Sequence, residues 1–240
     1  MPVYQCKLKS REEVAEGTMA FHFERPASFN FQAGQTVDMT LLSPPETDDE
    51  GNTRTFSIAS PPFEQELMFA TRMRDSAFKR SLKTLPLGTE LKIDGPMGSF
   101  TLHKNAKKPA AFLAGGIGIT PFLSTVAQAA HDRLPHQLYL FYSNHRPEDA
   151  PFLDFLRRLE AENPNYHFIP TMTDMERSKR PWKGETGFID SKMVIKYLSN
   201  LNGPIYYLAG PPAMVAAMRK MLTEAKVDED DIRTEEFAGY

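Results

Sequence analysis

The chain has 240 residues, of which 41% are hydrophobic and 25% charged, so it is long enough for one large globular domain or two modest ones. Its 28 Lys and Arg residues nearly balance 31 Asp and Glu residues, which disfavours a nucleic-acid-binding or membrane-surface protein. Cys6 is the single cysteine and excludes both an intrachain disulfide and an iron–sulfur cluster held by four cysteines of this chain. The sequence shows no apolar targeting segment and no membrane-spanning run, so we expect a cytoplasmic protein.

Residues 1–105 are predicted to form an all-β domain, an antiparallel barrel. Segments with strand character follow one another at short intervals and are separated by Gly, Pro and Asn; they lie at 3–9, 19–24, 35–42, 54–60, 66–73 and 90–95. Only residues 76–85 have helical spacing in this half. Residues 43–53 are acidic, and we interpret them as a solvated loop without a site of its own.

Residues 106–240 are predicted to form an α/β domain with a doubly wound parallel sheet. Apolar strand segments here alternate with helical segments. The strands are expected at 110–114, 137–143, 166–172 and 204–210, and the helices at 121–132, 149–162, 190–199 and 212–225. This alternation predicts parallel pairing with right-handed crossovers.

A glycine-rich turn, FLAGGIGITPF at 112–122, follows the first strand of this second domain. Gly116 and Gly118 begin the dinucleotide fingerprint G-x-G-x-x-G, but Pro121 stands at the third glycine position. We interpret Thr120 as the N-cap of the next helix, with Pro121 at its first position. The glycines would let a flat ligand approach the backbone, and the helix start would attract phosphate. A tight turn that needs glycine only for its backbone angles is the equally weighted alternative.

Two further segments favour a nucleotide ligand. LAGPP at 208–212 is a second turn between a strand and a helix, and two turns at one edge of a parallel sheet would face each other across a crevice. In the first domain, Arg54, Phe56 and Ser57 offer a cation for phosphate, a flat apolar surface for a ring, and a hydroxyl for a ring nitrogen. These are the groups that a flavin nucleotide requires. A surface arginine and a satisfied core serine are the alternative interpretation.

Taken together, five motifs in this order resemble the ferredoxin–NADP reductase family of flavoproteins over nearly the whole chain. They are RTFS at 54–57, GPMGSF at 95–100, GGIGITP at 115–121, AGPPAMV at 209–215 and EEFAGY at 235–240. In that family a barrel binds FAD and the α/β domain binds a nicotinamide dinucleotide. The resemblance implies a stand-alone oxidoreductase without an iron–sulfur domain. Such an enzyme transfers hydride from NADPH or NADH to N5 of FAD and passes electrons to an external acceptor.

The resemblance also implies roles for individual residues. Arg54 would hold the flavin pyrophosphate, Phe56 would pack on the isoalloxazine ring, and Ser57 would form a hydrogen bond near N5. The other residues implied in cofactor binding are Thr55, Arg72, Met73, Ala77, Phe78, Lys79, Gly115, Gly116, Ile117, Gly118, Thr120, Pro121, Gly210, Pro211, Phe237 and Tyr240. Ser57, Thr120 and Glu236 are the catalytic candidates, and Glu235 and Glu236 together would bias proton delivery to N5.

Three positions depart from the usual pattern of the family. Phe56 replaces a tyrosine and lacks its hydroxyl, although stacking would survive. Ala209 replaces a cysteine beside the nicotinamide, which would affect the efficiency of hydride transfer more than the type of reaction. The segment SAFKRSL, starting at Ser76, replaces a glycine-and-serine phosphate turn, so we expect Lys79 or Arg80 to supply compensating charge.

Basic residues in two loops slightly favour NADPH, because its 2′-phosphate requires Arg or Lys. Arg146 follows the second strand of the α/β domain, and Arg177, Lys179 and Arg180 follow the third, although Asp174 in the same loop would repel a phosphate. A solvated rim of charge is the alternative.

The electron acceptor is expected to be external: an iron–sulfur protein, a flavodoxin-like carrier, an oxygenase component or a small oxidant. An electron-transfer subunit active only in a complex, and a non-catalytic flavin-binding sensor module, are the alternative functions. No nucleic-acid partner is expected. No metal site is expected either, because the six histidines contain no pair spaced i, i+4.

Overall fold

Two six-stranded sheets dominate the structure, a computed structural model that describes residues 2–237. The first sheet contains β1 (Val3–Ala15), β2 (Thr18–Glu24), β3 (Thr36–Leu41), β4 (Thr53–Ser57), β5 (Glu66–Arg72) and β6 (Glu90–Met97). The second contains β7 (Ala110–Gly115), β8 (Leu138–Asn144), β9 (Tyr166–Met172), β10 (Glu185–Thr186), β11 (Ile205–Gly210) and β12 (Ile232–Glu236). The first sheet is antiparallel and the second parallel, so the predicted fold class is confirmed.

The antiparallel sheet has the strand order β4-β3-β6-β1-β2-β5 and curls around an aromatic core. Alternate residues of β2, including Phe21 and Phe23, point into this core, as expected for a strand with one solvated face. The N–H of Ala59 donates to the carbonyl of Met68 over 2.8 Å and so joins the segment after β4 to β5. The edge strands thereby approach one another in a barrel-like arrangement.

One helix, α1 (Ala77–Thr84), covers an opening of this barrel near the end of β5. Its N-cap is Ser76, whose hydroxyl accepts a hydrogen bond from the N–H of Lys79. Phe78 and Leu82, four residues apart on one helical face, are buried in the barrel core. The predicted helix at 76–85 is therefore confirmed.

The parallel sheet has the order β10-β9-β8-β7-β11-β12. Its helices are α2 (Thr120–His131), α3 (Leu153–Glu162), α4 (Ser191–Leu198) and α5 (Pro212–Glu224). From β7 the chain adds β8, β9 and β10 on one side and then crosses to β11 on the other. The strand order therefore reverses between β7 and β11, and parallel sheets bind ligands at the carboxyl ends of the strands at such a point.

Helix α3 begins later than predicted. Residues 147–149 form a separate 3₁₀ turn, and Phe152 adopts a left-handed conformation with φ of 62° immediately before Leu153. A non-glycine residue in this region cannot continue a right-handed helix, so α3 starts after it. Two strands were not predicted: β10 has only two residues, and β12 is a polar strand at the sheet edge.

Each domain has its own hydrophobic core, and residues from the barrel side pack against the core of the parallel-sheet domain. Phe100, which follows β6, packs at 5.6 Å from both Phe122 of α2 and Tyr207 of β11 (ring centroids). Ala59 and Leu102 extend the same cluster from the barrel side. The expected domain boundary falls in the segment between β6 and β7.

Within residues 2–237, no helix combines the length and apolar character needed to cross a bilayer. The same range contains no group of three or more His, Cys, Asp or Glu side chains placed to hold a metal ion.

Candidate functional site

The turns after β7 and β11 pack directly against each other. A Cβ atom added to Gly118 would lie 2.3 Å from the carbonyl oxygen of Ala209 and 2.7 Å from Cα of Gly210. Gly210 has φ of 155°, and its own added Cβ would lie 3.1 Å from the backbone nitrogen of Gly115. Gly118 is thus required for the packing of this turn on β11.

Thr120 is not the N-cap of α2, which corrects the sequence interpretation. Residues Gly116–Ile119 form a 3₁₀ helix that continues without interruption into α2, so the helical run starts at Gly116. Thr120 has helical backbone angles, and its hydroxyl donates to the carbonyl of Ile117 over 3.1 Å. Pro121 does lie in the first turn of α2.

The carboxyl edge of the parallel sheet opens into a cavity of about 280 Å³, called here the sheet-edge cavity. The turn residues Gly115, Gly116 and Pro211 line it. The remaining lining residues are Arg72, Arg74, Ser143, Asn144, His145, Asp149, Thr173, Phe188, Ile189, Met214 and Met218. Backbone, polar side chains and apolar side chains therefore all border the cavity, and Met214 packs on the Gly115 turn.

A second cavity of about 430 Å³, the barrel cavity, lies between the barrel and the start of α2. Its lining residues are Glu50, Arg54, Thr55, Phe56, Ser57, Ala70, Thr71, Arg72, Arg74, Asp75, Ser76, Lys79, Ile117, Thr120 and Phe237. Arg72 and Arg74 line both cavities, so the two spaces are adjacent. Residues 54–57 line the barrel cavity together with Ile117 and Thr120, and Gly115, Gly116 and Pro211 line the neighbouring sheet-edge cavity.

Several residues from the predicted set lie outside both cavities. Their side chains are occupied in packing: Ala77 and Phe78 are buried, Met73 packs against the barrel core, and Pro121 is buried in α2. Gly118 and Gly210 belong to the packed turns described above. Tyr240 lies outside the described residues.

Ser57 is a buried hydroxyl at the wall of the barrel cavity. The residue is only 4% exposed, and its Oγ has no hydrogen-bond partner within the described part of the chain. Phe56 beside it packs against Phe69 and Phe78 at ring-centroid distances of 6.2 and 5.9 Å, with its remaining edge facing the cavity. An unpaired polar atom on an otherwise aromatic wall is suited to a flat ligand with a ring nitrogen.

Positive charge gathers at the other end of the barrel cavity. Arg74 and Lys79 form no ion pair with any residue between positions 2 and 237, and Lys79 is half-buried. Burial, reinforced by the neighbouring charges of Arg74 and Arg54, lowers the pKa of Lys79 below its usual range. Clustered cations with few counter-charges are suited to a phosphate group.

The acidic loop at 43–53 is not a free solvated excursion, so that interpretation is wrong. It folds back onto β4 and α1, where Arg54 donates to both a carboxylate oxygen and the carbonyl of Glu50 over 2.7 and 2.9 Å. Asp48 accepts a hydrogen bond from the N–H of Ala77 over 2.9 Å. The loop therefore borders the barrel cavity, and Glu50 lines it.

Arg146, expected to bind a 2′-phosphate, is held by carboxylates. It donates to both carboxylate oxygens of Asp149 over 2.8 Å and to Glu16 over 2.9 Å. These hydrogen bonds hold the pKa of the buried Asp149 below its usual value. Arg177 likewise pairs with Asp174. Both guanidinium groups are thus already neutralised near the sheet-edge cavity.

Glu235 and Glu236 differ in their placement on β12. Side chains alternate along a strand, so Arg233, Glu235 and Phe237 share one face while Glu236 points to the other. Arg233 donates to the carbonyl of Thr101, which shows that this face meets the barrel side. Glu236 is exposed, whereas burial raises the pKa of Glu235 to about 7. The geometry therefore favours Glu235 over Glu236 as a proton-exchanging group.

Sequence reasoning missed several residues that line the cavities. On the barrel side these are Ala70, Thr71, Arg74, Asp75 and Ser76, which follow directly from the end of β5. On the sheet side, the least expected is Phe188, which is 78% exposed. An isolated aromatic after a two-residue strand gives no periodic signal, so only the tertiary structure brings it to the cavity.

Comparison with known proteins agrees with this arrangement. Residues 112–220 match the model of the family described as Oxidoreductase NAD-binding domain. The match begins on β7 and ends in α5, so the matched segment contains both turns that meet at the sheet edge.

The whole chain also resembles longer proteins. It is 27% identical over 237 residues to the phenol hydroxylase P5 protein of Acinetobacter pittii, covering 98% of this chain and 65% of that protein. The chain spans about half to two thirds of the length of several curated relatives it matches.

Solved structures share the fold beyond the NAD-binding domain. The cytochrome P450 reductase GcoB of Amycolatopsis superposes with a TM-score of 0.82 at 22% identity, covering 98% of this chain and 70% of that one. A ferredoxin NADP⁺ reductase from Neisseria gonorrhoeae with bound FAD and NADP superposes with a TM-score of 0.79 at 20% identity, covering 98% of each chain. The chain thus has the two-domain fold of the ferredoxin–NADP reductase type.

Proposed function

We propose that this protein is a flavin-dependent NAD(P)H oxidoreductase that binds FAD in the barrel cavity and the nicotinamide coenzyme in the sheet-edge cavity. The observation that carries the proposal is the contact between the two cavities, since Arg72 and Arg74 line both. Ligands bound in these spaces would meet at that shared wall. When bound, the flavin accepts hydride from the reduced nicotinamide and releases electrons singly or in pairs to an acceptor.

The residues of the barrel cavity fit a flavin in three respects. The unpaired hydroxyl of Ser57 offers a hydrogen bond to a ring nitrogen, and Phe56 and Phe237 offer apolar surface. Arg74 and Lys79 offer charge for phosphate at the opposite end. The contribution of the chain is thus to bind and orient the two cofactors.

An external acceptor follows from the single cysteine, because the chain does not supply four thiolates for an iron–sulfur cluster. The similarity to a phenol hydroxylase protein and to a cytochrome P450 reductase favours an oxygenase component as that acceptor. A redox partner protein would receive the electrons at the exposed edge of the barrel cavity. An electron-transfer subunit that works only within such a complex is a special case of the same function.

We further propose NADH as the preferred coenzyme. The sequence favoured NADPH because of Arg146, Arg177, Lys179 and Arg180. Arg146 and Arg177 are neutralised by Asp149, Glu16 and Asp174, and neither Lys179 nor Arg180 lines the sheet-edge cavity. Binding a 2′-phosphate there would require breaking one of these pairs. We therefore expect kcat/KM for NADH to exceed that for NADPH by about tenfold, the equivalent of about 1.4 kcal/mol.

The decisive experiment is anaerobic reduction of the purified protein. We expect a yellow protein that releases FAD on denaturation and whose flavin absorption bleaches on addition of NADH, and more slowly with NADPH. A protein that binds FAD but is bleached by neither coenzyme would be a non-catalytic flavin module. A colourless protein that takes up neither FAD nor FMN would contradict the proposed function altogether.

A further inference from the structure

Oxygen atoms of the acidic loop between β3 and β4 accept hydrogen bonds from a side chain that faces the barrel cavity. Arg54 lines that cavity, yet its Nη1 donates to the carbonyls of Glu50, Gly51 and Thr53 over 2.9, 3.2 and 2.7 Å. Its Nη2 donates to the carboxylate of Glu50 over 2.7 Å and lies 3.6 Å from Asp48. The guanidinium that a phosphate would require is therefore engaged by the loop itself.

The start of α1 is engaged in the same way. Asp48 accepts the N–H of Ala77, the first residue of the helix, over 2.9 Å. A carboxylate at this position takes the place that an anionic ligand would take at a helix N-terminus. Next to it, Arg74 and Lys79 still lack an acidic partner within residues 2–237, and the buried hydroxyl of Ser57 faces the same cavity unpaired. The loop thus pairs with only some of the groups that could bind phosphate in this cavity.

A third contact fixes the loop from outside the cavity. Arg80 donates to both carboxylate oxygens of Glu46 over 2.8 and 2.7 Å, and the hydroxyl of Ser81 donates to the Glu46 carbonyl over 3.3 Å. Neither Glu46 nor Arg80 lines the barrel cavity. The loop is therefore held to α1 by Glu46 and Asp48 outside the cavity lining, and to Arg54 of β4 by Glu50 at the cavity wall.

We propose that residues Glu46–Glu50 form a latch over the flavin-phosphate end of the barrel cavity, with Asp48 and Glu50 standing where the phosphates of FAD bind. The proposal depends on the proposed function, because it assumes that FAD is the ligand. Phosphate and carboxylate compete for the same Arg54 and Ala77 donors, so binding of FAD and opening of the latch are thermodynamically linked. The latch keeps the partly exposed guanidinium of Arg54 paired until the cofactor arrives, and it weakens the observed affinity for FAD.

Removal of the competing carboxylates tests this linkage. In the apoprotein, the double variant Asp48→Ala, Glu50→Ala should bind FAD about three- to tenfold more tightly, as judged by quenching of flavin fluorescence, because two partly exposed ion pairs no longer compete. Asp49→Ala is the matched control. It removes the same charge from the same loop, but Asp49 makes no hydrogen bond or ion pair with residues 2–237, so it should leave the affinity within about twofold of wild type.

Limited proteolysis of the wild-type protein provides a second, structural measurement. A glutamate-specific protease should cut after Glu46 and Glu50 several times faster in the FAD-loaded protein than in the apoprotein, as quantified by mass spectrometry of those two cleavages. Weaker FAD binding by the double variant, an equal gain from Asp49→Ala, or unchanged cleavage on FAD loading would each overturn the latch. A protein that takes up no flavin in any form would instead overturn the proposed function.

Discussion

Ser57 illustrates how a single residue can disfavour folding and favour binding at the same position. Its hydroxyl is buried without a partner in the described structure, which costs about 1–3 kcal/mol relative to a satisfied or apolar side chain. A residue of this kind is retained when a ligand supplies the missing partner. Replacement by alanine should therefore separate the two effects.

We expect Ser57→Ala to stabilise the apoprotein by about 1 kcal/mol and to weaken FAD binding about tenfold. Chemical denaturation of the apoprotein and fluorescence titration with FAD measure the two quantities. Ser124→Ala is the control, since the buried Ser124 hydroxyl donates to the carbonyl of Ser60 over 2.8 Å. That variant should lose stability and keep its affinity for FAD. If Ser57→Ala and Ser124→Ala destabilise the apoprotein equally, the Ser57 hydroxyl already has a hydrogen-bond partner.

Phe188 is the clearest exposed aromatic side chain beside the sheet-edge cavity. It is 78% exposed and lines this cavity together with Met214 and Met218. A flat aromatic surface bordered by methionines is suited to an adenine ring. If the coenzyme binds in this cavity as proposed, Phe188 would contact its adenine.

Phe188→Ala should raise the KM for NADH about five- to tenfold, because stacking on the adenine is lost. The KM for reduced nicotinamide mononucleotide, which has no adenine, should remain unchanged. Ile195→Ala is the control, because Ile195 is an exposed apolar residue on α4 that does not line this cavity. If the two coenzymes respond equally to Phe188→Ala, the side chain does not contact adenine.

At the scale of secondary structure elements, β12 decides which of two neighbouring carboxylates is buried. The strand pairs in parallel with β11, with Glu235 opposite Ala209. Its alternation turns Glu235 toward the barrel side and Glu236 toward solvent. From the sequence EEF alone, Glu235 and Glu236 cannot be distinguished. Only the pairing of β12 shows that Glu236 is the exposed one.

The raised pKa of Glu235 predicts a pH dependence of stability. The native state keeps this proton up to about pH 7, while the unfolded chain loses it near 4.5, so stability falls as pH rises between these values, by up to about 3 kcal/mol. Glu235→Gln, which mimics the protonated form, should remove this fall. Glu236→Gln should not, because Glu236 is exposed. Denaturation curves at several pH values between 4.5 and 8 would measure the effect, and identical profiles for wild type and Glu235→Gln would contradict it.

At the scale of the whole molecule, the segment between the domains is locked to the parallel sheet. The N–H of His103 donates to the hydroxyl of Tyr207 over 2.8 Å, and its ring contacts the same hydroxyl and the carbonyl of Lys108. The ring of His136 packs edge-on against the ring of His103, with 5.2 Å between the ring centroids, and its Nε2 forms a hydrogen bond with the carbonyl of His103. Arg233 donates a hydrogen bond to the hydroxyl of Tyr207. The relative position of the two cavities depends on this cluster.

Burial, with smaller effects from His136 and Arg233, lowers the pKa of His103. The unfolded chain therefore binds a proton more readily, and stability should decrease as pH falls below about 6.5. His103→Gln should flatten this part of the profile, whereas His167→Gln, on the surface of β9, should leave it unchanged. Thermal unfolding between pH 5 and 7.5 would measure it. If the stability of His103→Gln still falls at acid pH, other titratable groups cause that fall.

The amino-acid sequence by itself determined the order of elements and the position of the ligand-binding turns. Hydrophobic periodicity identified the strands that flank Gly115 and Gly210, because local burial patterns follow the periods of strand and helix. The same reasoning placed RTFS on a barrel strand and identified α1 within one residue at each end.

The tertiary structure decided which of those residues reach a ligand. Gly118 serves packing and Glu236 faces away, while Arg74 and Phe188 enter the cavities from segments without a periodic signal. Arg146 is neutralised by Glu16, 130 positions away. Such outcomes depend on contacts between distant parts of the chain, and a local pattern contains no information about the partner that a charge or a turn meets after folding.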